Sequence, residues 1–196
     1  MWQHARVSSP ADADLSPAAV SLRGRRPRDV PVLTRWLTDP GAAWRAWDAP
    51  YLPPGDTTAN LQRYAQALAS SPPNPNERVI DVGGVVIGMV NRAEEDPVGG
   101  GWWDLGILIY SAEHWGRGLG SRALALWVQA TLDETDAHVL TFSTWGGNDR
   151  MIRAALRLGF REAGRVREAR VVRGERFDAV RLDLLRREWP SLDGRR

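Results

Sequence analysis

Three glycines alternate with other residues between a strand-like apolar run and a long helix-like run. Residues 106–120 have the sequence GILIYSAEHWGRGLG, and the residues that follow are SRALALWVQATLDE. Because Gly116, Gly118 and Gly120 have no side chains, the backbone N–H groups of this turn stay accessible. A helix that starts here directs its positive end toward the same point, and such turns bind phosphate or pyrophosphate groups. The pattern therefore predicts a site for a phosphorylated cofactor, to which Arg117 adds a charge-assisted contact.

Three phosphate-binding motifs share this order of strand, turn and helix. A nucleoside-triphosphate loop has a lysine after its last glycine, whereas Ser121 stands there and the chain contains no lysine. A dinucleotide-binding turn needs glycine at the same position. The third motif, Q/R-x-x-G-x-G/A, binds acetyl-coenzyme A and fits Trp115–Gly120, except that Trp115 replaces Gln or Arg. Taken alone, the turn could equally be an ordinary glycine-rich connector between a strand and a helix.

Two stretches of the C-terminal half resemble the GNAT acyltransferase superfamily, and specifically its ribosomal-protein N-terminal acetyltransferase branch. The first is Asp104–Leu124, DLGILIYSAEHWGRGLGSRAL. The second is Thr141–Ala169, which resembles the family's strand, its helix start at an Asn and its closing LGF. The N-terminal SLRGRRPRDVPVLTRWL resembles the branch's first strand and helix. The resemblance implies an α/β fold: a mixed, mostly antiparallel central sheet with helices on both faces and a cleft for acyl-CoA between splayed strands.

The resemblance also implies an activity. The chain is expected to be an acetyl-CoA-dependent N-acetyltransferase that acts on a primary amine, either a peptide or protein N-terminus or a small molecule. Direct attack in a ternary complex is expected, because the chain has no cysteine and no G-x-S-x-G elbow to carry the acyl group. Two alternatives stay open: an acyl-CoA-binding sensor of the same fold without catalysis and, more remotely, an Arg-rich nucleic-acid-binding module.

Composition favours one compact domain without a nucleic-acid role. The 196 residues are 43% hydrophobic, and 26 basic against 24 acidic residues give a net charge of +2. Basic and acidic residues are interleaved, whereas nucleic-acid binding favours a concentrated basic stripe. The absence of cysteine and the wide spacing of the 3 histidines predict no metal site. Without a long apolar run or a secretory signal we expect a cytoplasmic protein with no membrane partner, and a homodimer is left open.

Hydrophobic periodicity predicts a flexible arm at 1–17, a single domain at 18–190 and a C-terminal tail at 191–196. Strands are expected at 19–22, 77–81, 85–92, 103–110, 139–145, 166–172 and 178–185. Helices are expected after Asp29 as a cap, from Thr57 or Thr58, over 119–132, and after Asn148. Gly83-Gly84 and Arg173-Gly174 predict hairpin turns, and Gly159 is expected to end the last helix.

The resemblance assigns the cofactor to the strand before the turn, the turn itself and the start of the last helix. Main-chain groups of Ile107, Leu108 and Ile109 are expected along the pantetheine arm. The turn contributes Trp115, Gly116, Arg117, Gly118, Leu119, Gly120 and Ser121. Asn148 is expected both to cap its helix and to contact the pantetheine arm. Arg153 is a candidate for a coenzyme A phosphate, with an exposed helix face as the alternative.

Acyl transfer to an amine needs a group that removes a proton from the ammonium and one that protonates the leaving thiolate. Asp104 is the candidate base, directly or as a relay, because the resembling branch often has Glu at this place. Glu94 and Glu95 are the alternatives. Tyr110 and Ser143 are candidate proton donors for the thiolate, because each places a hydroxyl near the expected position of the sulfur.

Aromatic residues cluster in the irregular segment between the first two expected helices. In the superfamily this segment forms one side of the acceptor pocket. Trp44, Trp47 and Tyr51 are therefore the candidate acceptor-binding residues, and a structural cap is the alternative. Together with Arg45 and Asp48, these rings are suited to a peptide N-terminus, a polyamine or an aminosugar.

Overall fold

One mixed sheet organises the protein. A computed structural model describes residues 16–190, without the side chains of 54–56, so most of the predicted arm and the predicted tail lie outside the described residues. The strands are β1 (Val20–Arg23), β2 (Glu77–Val82), β3 (Val85–Glu94), β4 (Trp102–Ile109), β5 (Val139–Trp145), β6 (Arg161–Val172) and β7 (Glu175–Leu185). Their order in the sheet is β1-β2-β3-β4-β5-β7-β6. Neighbouring strands are antiparallel except β4 and β5, which are parallel.

Helices cover both faces of this sheet. They are α1 (Val30–Thr38), α2 (Pro54–Ser70), α3 (Leu119–Glu134) and α4 (Asp149–Arg157). Ile107 and Ile109 pack with α3, whereas Leu108 packs with α1 and α2. Because alternate residues of a strand point to opposite faces, the two helix pairs lie on opposite sides of the sheet. The predicted fold class is confirmed. Within residues 16–190, no helix is long and apolar enough to span a membrane.

The two parallel strands separate soon after they meet. Their pairing joins Trp102 to Val139, Trp103 to Leu140 and Asp104 to Thr141, and it ends there. Beyond that point β4 stays paired with β3, and β5 stays paired with β7. The backbone polar groups of β4 that face the gap are therefore left for a ligand or water. This is the predicted splayed-strand cleft.

Several of the predicted strand and helix boundaries were wrong. β6 begins at residue 161 instead of 166 and β7 at 175 instead of 178. The β6 strand is exposed along nearly its whole length and its register shifts twice, so its sequence lacks the alternation that marks a half-buried strand. The α2 helix begins at Pro54 instead of Thr57 or Thr58. By contrast β5 has the predicted bounds, and Gly83, Gly84, Gly159 and Gly174 all have positive φ angles, as their predicted turn and cap positions require.

The predicted cap at Asp29 is also corrected. Asp29 occupies the N-cap position of α1 but makes no side-chain capping bond to it. Its carboxylate instead accepts the backbone N–H of Arg26 at 2.7 Å and the guanidinium of Arg23 at 2.7 Å. The buried ion pair with Arg23 helps to lower the pKa of Asp29 against the opposing effect of burial. Asp29 therefore connects β1 to the turn before α1.

Candidate active site

A cavity of about 770 Å³ lies where β4 and β5 separate. Its lining combines the second half of β4, the glycine turn, the end of β5, the inner face of α4 and the segment between α1 and α2. The cavity therefore extends from the predicted phosphate-binding turn to the predicted acceptor segment.

The glycine turn has the backbone geometry that its sequence requires. Gly116 and Gly118 have φ angles of 73° and 78°, in the left-handed region that favours glycine. Gly118 is the N-cap of α3, so the first N–H groups of this helix have no partners within the helix. Gly116, Gly118, Gly120 and Ser121 line the cavity. Free N–H groups and the positive helix end together suit the pyrophosphate of a coenzyme.

Two predicted cofactor residues, Arg117 and Leu119, do not line this cavity. The Leu119 side chain is fully buried in the core below α3, so this residue can meet a ligand in the cavity only through its backbone. The other predicted cofactor residues do line it: Ile107, Leu108, Ile109, Trp115, Gly116, Gly118, Gly120, Ser121, Asn148 and Arg153.

Trp115 connects the turn to its surroundings in place of the usual Gln or Arg. Its Nε1 donates to the backbone oxygen of Ile109 at 2.9 Å, which fixes the turn against the end of β4. The Arg150 guanidinium lies 4.6 Å from the Trp115 ring centroid and 4.7 Å from that of Trp47. The cation–π contacts of Arg150 with these two rings link the turn, α4 and the acceptor segment.

Asn148 joins β5 to α4. Its Oδ1 accepts the backbone N–H of Met151 at 3.4 Å, so the predicted capping role is confirmed. Its Nδ2 donates to the Thr144 Oγ1 at 3.1 Å. Asn148 and Thr144 both line the cavity. The predicted contact of Asn148 with the pantetheine arm stays a prediction.

Asp104 lies at the point where the strands part. Its Oδ1 accepts a hydrogen bond from the Thr141 Oγ1 at 2.6 Å, and the Trp102 Nε1 donates to the same Thr141 oxygen at 3.0 Å. Burial raises the pKa of Asp104, although the Thr141 hydrogen bond and the charge of Arg181 oppose this effect. The cavity lining on β4 begins at the next residue, Leu105. Neither Asp104 nor Thr141 lines the cavity itself, and the role of Asp104 as a base stays a prediction.

The two candidate proton donors differ in position. The Tyr110 ring is 2% exposed and packs against Trp36 and Trp44, with ring centroids 6.3 and 5.5 Å away. Burial raises the pKa of Tyr110 above its usual value, and the residue is not part of the cavity lining. Ser143 does line the cavity, and its Oγ accepts a hydrogen bond from the Arg181 Nε at 3.1 Å. The geometry favours Ser143 over Tyr110.

The predicted acceptor residues Trp44, Trp47 and Tyr51 all line the cavity. The Trp44 Nε1 donates to the backbone oxygen of Trp36 at 3.2 Å, which anchors the segment to α1. The Arg170 guanidinium carbon lies 4.2 Å from the centroid of the Tyr51 ring. The aromatic side of the cavity is thus fixed by contacts with neighbouring elements.

The lining residues that were not predicted include Asn91, His114 and Arg150. The Asn91 side chain lies so close to Gly106 that a Cβ added there would be 1.9 Å from the Asn91 Oδ1. A glycine inside an apolar strand indicates such a close approach, and this was the sequence feature that pointed to Asn91. His114 is buried, and its Nδ1 has no hydrogen-bond partner in the described part of the chain. Burial lowers the pKa of His114.

Among residues 16–190, no group of three or more potential ligands is arranged to bind a metal ion.

Comparison with known proteins identifies the class of protein. The sequence model of the acetyltransferase (GNAT) domain matches residues 20–161, which is most of the chain. The protein therefore belongs to the GNAT acetyltransferase family. No curated protein matches the sequence.

Solved structures share this fold at low sequence identity. A ribosomal-protein-alanine N-acetyltransferase from Brucella melitensis is 19% identical with a TM-score of 0.61, and the match covers 84% of this chain and 99% of that one. YncA from Salmonella typhimurium, solved with its cofactor acetyl-CoA, is 20% identical with a TM-score of 0.59, covering 89% and 98%. A spermidine N-acetyltransferase from Vibrio cholerae, in complex with CoA and spermine, is 18% identical with a TM-score of 0.63, covering 87% and 98%.

Proposed function

We propose that this enzyme transfers the acetyl group of acetyl-CoA to a primary amine by direct attack within a ternary complex. The observation that supports it is the continuous cavity, which joins a phosphate-binding turn at one end to an aromatic acceptor segment at the other. Such a cavity allows donor and acceptor to meet at the gap between β4 and β5. The acceptor is a peptide or protein N-terminus or a small-molecule amine.

The cofactor is placed by main-chain groups. Free N–H groups at the start of α3 bind the pyrophosphate, and Arg117, exposed in the turn but outside the cavity lining, contributes its charge from a greater distance. The pantetheine arm follows Ile107, Leu108 and Ile109 toward the gap, where unpaired N–H groups of β4 polarise the thioester carbonyl. Arg153, which lies 3.5 Å from Asp149 on the exposed surface of α4, is a second phosphate ligand.

The reaction is a substitution at the thioester carbon. Asp104 accepts a proton from the acceptor ammonium through a water molecule, and the acceptor becomes a neutral amine. The amine lone pair forms a bond to the carbonyl carbon, the C–S bond breaks, and its electron pair goes to the coenzyme A sulfur. The new amide nitrogen releases its second proton to solvent. The thiolate takes a proton from the Ser143 hydroxyl, and solvent protonates the Ser143 oxygen again.

The test is an acetylation assay with acetyl-CoA and a panel of amines: peptides that begin with Ala or Ser, alkyl amines and diamines, and aminosugars. We expect an acetylated amine, detected by mass, and initial-rate lines that intersect as both substrates are varied. Parallel lines would contradict direct attack, because they indicate a covalent acyl-enzyme. Cofactor binding without transfer to any amine would contradict the proposed activity and favour a sensor.

A further inference from the structure

Asp48 is the one carboxylate among the described residues that line the cavity. It directly follows Trp47 in the segment between α1 and α2, and its backbone N–H donates to the Trp44 oxygen at 3.2 Å. The Trp145 Nε1 donates to the Trp47 oxygen at 3.2 Å, which ties this part of the segment to the end of β5. The backbone that carries Asp48 is therefore held both by its own segment and by the end of β5.

No described residue forms an ion pair or a side-chain hydrogen bond with the Asp48 carboxylate. Arg45 is the charge that lowers its pKa, but the Arg45 guanidinium donates to the backbone oxygens of Asp39 at 2.8 Å and Leu37 at 2.7 Å. Burial outweighs Arg45 and raises the pKa of Asp48. A half-buried carboxylate without a partner is costly, so the site is suited to a cation supplied by a ligand.

The other charged groups of the cavity are basic and lie on α4. Arg150 packs against the rings of Trp47 and Trp115, and Arg153 and Arg157 follow it along the helix. The basic groups of the cavity thus follow α4 and reach the Trp47 ring, and Asp48 is the acidic group that faces them from the segment between α1 and α2. The arginines favour an anionic donor, and Asp48 favours a cationic acceptor.

We propose that Asp48 binds a second, non-reacting cationic group of the acceptor. The amine that attacks must be neutral at that moment, so it cannot keep an ion pair with Asp48 through the reaction. A second cation can keep that ion pair throughout the reaction. The acceptor class is therefore a dicationic amine: an alkyl diamine, or a peptide whose free N-terminus is followed by a basic side chain. This inference rests on the proposed acetyl transfer.

Matched acceptors test the inference. Diaminobutane, diaminopentane and diaminohexane are compared with butylamine, pentylamine and hexylamine, and Ala-Lys-amide is compared with Ala-norleucine-amide. In the unmodified enzyme we expect kcat/KM to favour the dicationic member of at least one series by about tenfold or more, the range of a charge-assisted hydrogen bond. The series that shows the preference identifies the source of the second cation.

Asp48→Asn should remove this preference mainly by raising KM for the dicationic acceptor, by about 10- to 100-fold. Its KM for the monoamine should rise much less, and its affinity for coenzyme A should barely change. Asp48→Glu keeps the charge and should retain part of the preference. Asp39→Asn is the matched control, because it removes an exposed charge from the same segment outside the cavity lining.

Calorimetry with the enzyme–coenzyme A complex gives a readout that does not depend on turnover. Diaminohexane should bind more tightly than hexylamine, or Ala-Lys-amide more tightly than Ala-norleucine-amide, and Asp48→Asn should abolish the difference. Equal binding within both pairs, or an unchanged preference in a folded Asp48→Asn variant, would overturn the inference. If Asp48-dependent binding is found but no amine is acetylated, the proposed function fails and the assignment of Asp48 stands.

Discussion

Asp48 and Asp104 are two carboxylates whose pKa values burial raises, yet they have different surroundings. Asp104 accepts a 2.6 Å hydrogen bond from Thr141 and lies just outside the cavity lining. Asp48 lines the cavity and has no partner among the described residues. A fixed carboxylate suits proton transfer, and an unpaired one suits binding. Substitutions of the two residues should therefore have different kinetic effects: those of Asp104 should change kcat, and those of Asp48 should change KM.

Asp104→Asn should lower turnover by about 10²- to 10⁴-fold, the usual effect of losing a general base. The residual activity should rise with pH, because more of the amine is then neutral without help from the enzyme. Affinity for coenzyme A should barely change. Asp133→Asn, which removes an exposed carboxylate on α3, should leave the rates unchanged. Wild-type rates in Asp104→Asn would place the base elsewhere, with Glu94 the next residue to test.

The pH profile checks the same assignment through Thr141. In the unmodified enzyme kcat/KM should rise with pH as Asp104 loses its proton, at a pKa above the ordinary value for Asp. The Thr141 hydrogen bond stabilises the carboxylate and lowers this pKa, so Thr141→Val should raise it. The rising limb of the profile should therefore move to higher pH in Thr141→Val. A shift to lower pH would be inconsistent with Asp104 as the base.

At the scale of elements, the glycine turn and the start of α3 together are the proposed cofactor site. Gly118→Val should abolish coenzyme A binding, because a β-branched residue resists the φ of 78° and an added Cβ would lie 3.4 Å from the Pro17 Cγ, so the turn that presents the N–H groups would be distorted. Gly84→Val is the matched control: Gly84 has a φ of 91° in the turn between β2 and β3, away from the cavity. Calorimetry should show lost affinity only in Gly118→Val. Unchanged affinity in a folded Gly118→Val protein would exclude the turn from the site.

Elements with a strong local signal could be predicted, and those set by distant contacts could not. The bounds of β5 were correct because its apolar run lies between clear breakers. β6 was predicted too short because an exposed, bulged strand has no burial period. The aromatic acceptor segment was placed by resemblance, but the packing of Arg150 against two indoles joins three separate elements and leaves no local pattern. The sequence pointed to Asn91 only indirectly, through the glycine at position 106 that its side chain approaches.

At the scale of the whole molecule, three residue pairs between β4 and β5 join the two parts of the sheet. The cavity lies directly beyond this short junction, with β4 and the glycine turn on one side and β5 and α4 on the other. A coenzyme bound there contacts both parts and bridges the gap. Cofactor binding should therefore stabilise the whole fold and slow hydrogen exchange at the ends of both strands.

Acetyl-CoA should accordingly raise the Tm, whereas ATP and NAD should not. At a hundredfold excess over Kd, mass action predicts about 2.7 kcal/mol of stabilisation. For a chain of this size that corresponds to a Tm increase of about 5–10 °C. ATP should fail because the turn has no lysine for its phosphates, and NAD because Ser121 stands where a dinucleotide turn has its third glycine. Gly84→Val should keep the shift and Gly118→Val should lose it. Stronger stabilisation by ATP than by acetyl-CoA would refute the assignment of the turn to coenzyme A, because both ligands carry an adenosine and a pyrophosphate, but only acetyl-CoA carries the pantetheine arm that β4 is proposed to bind.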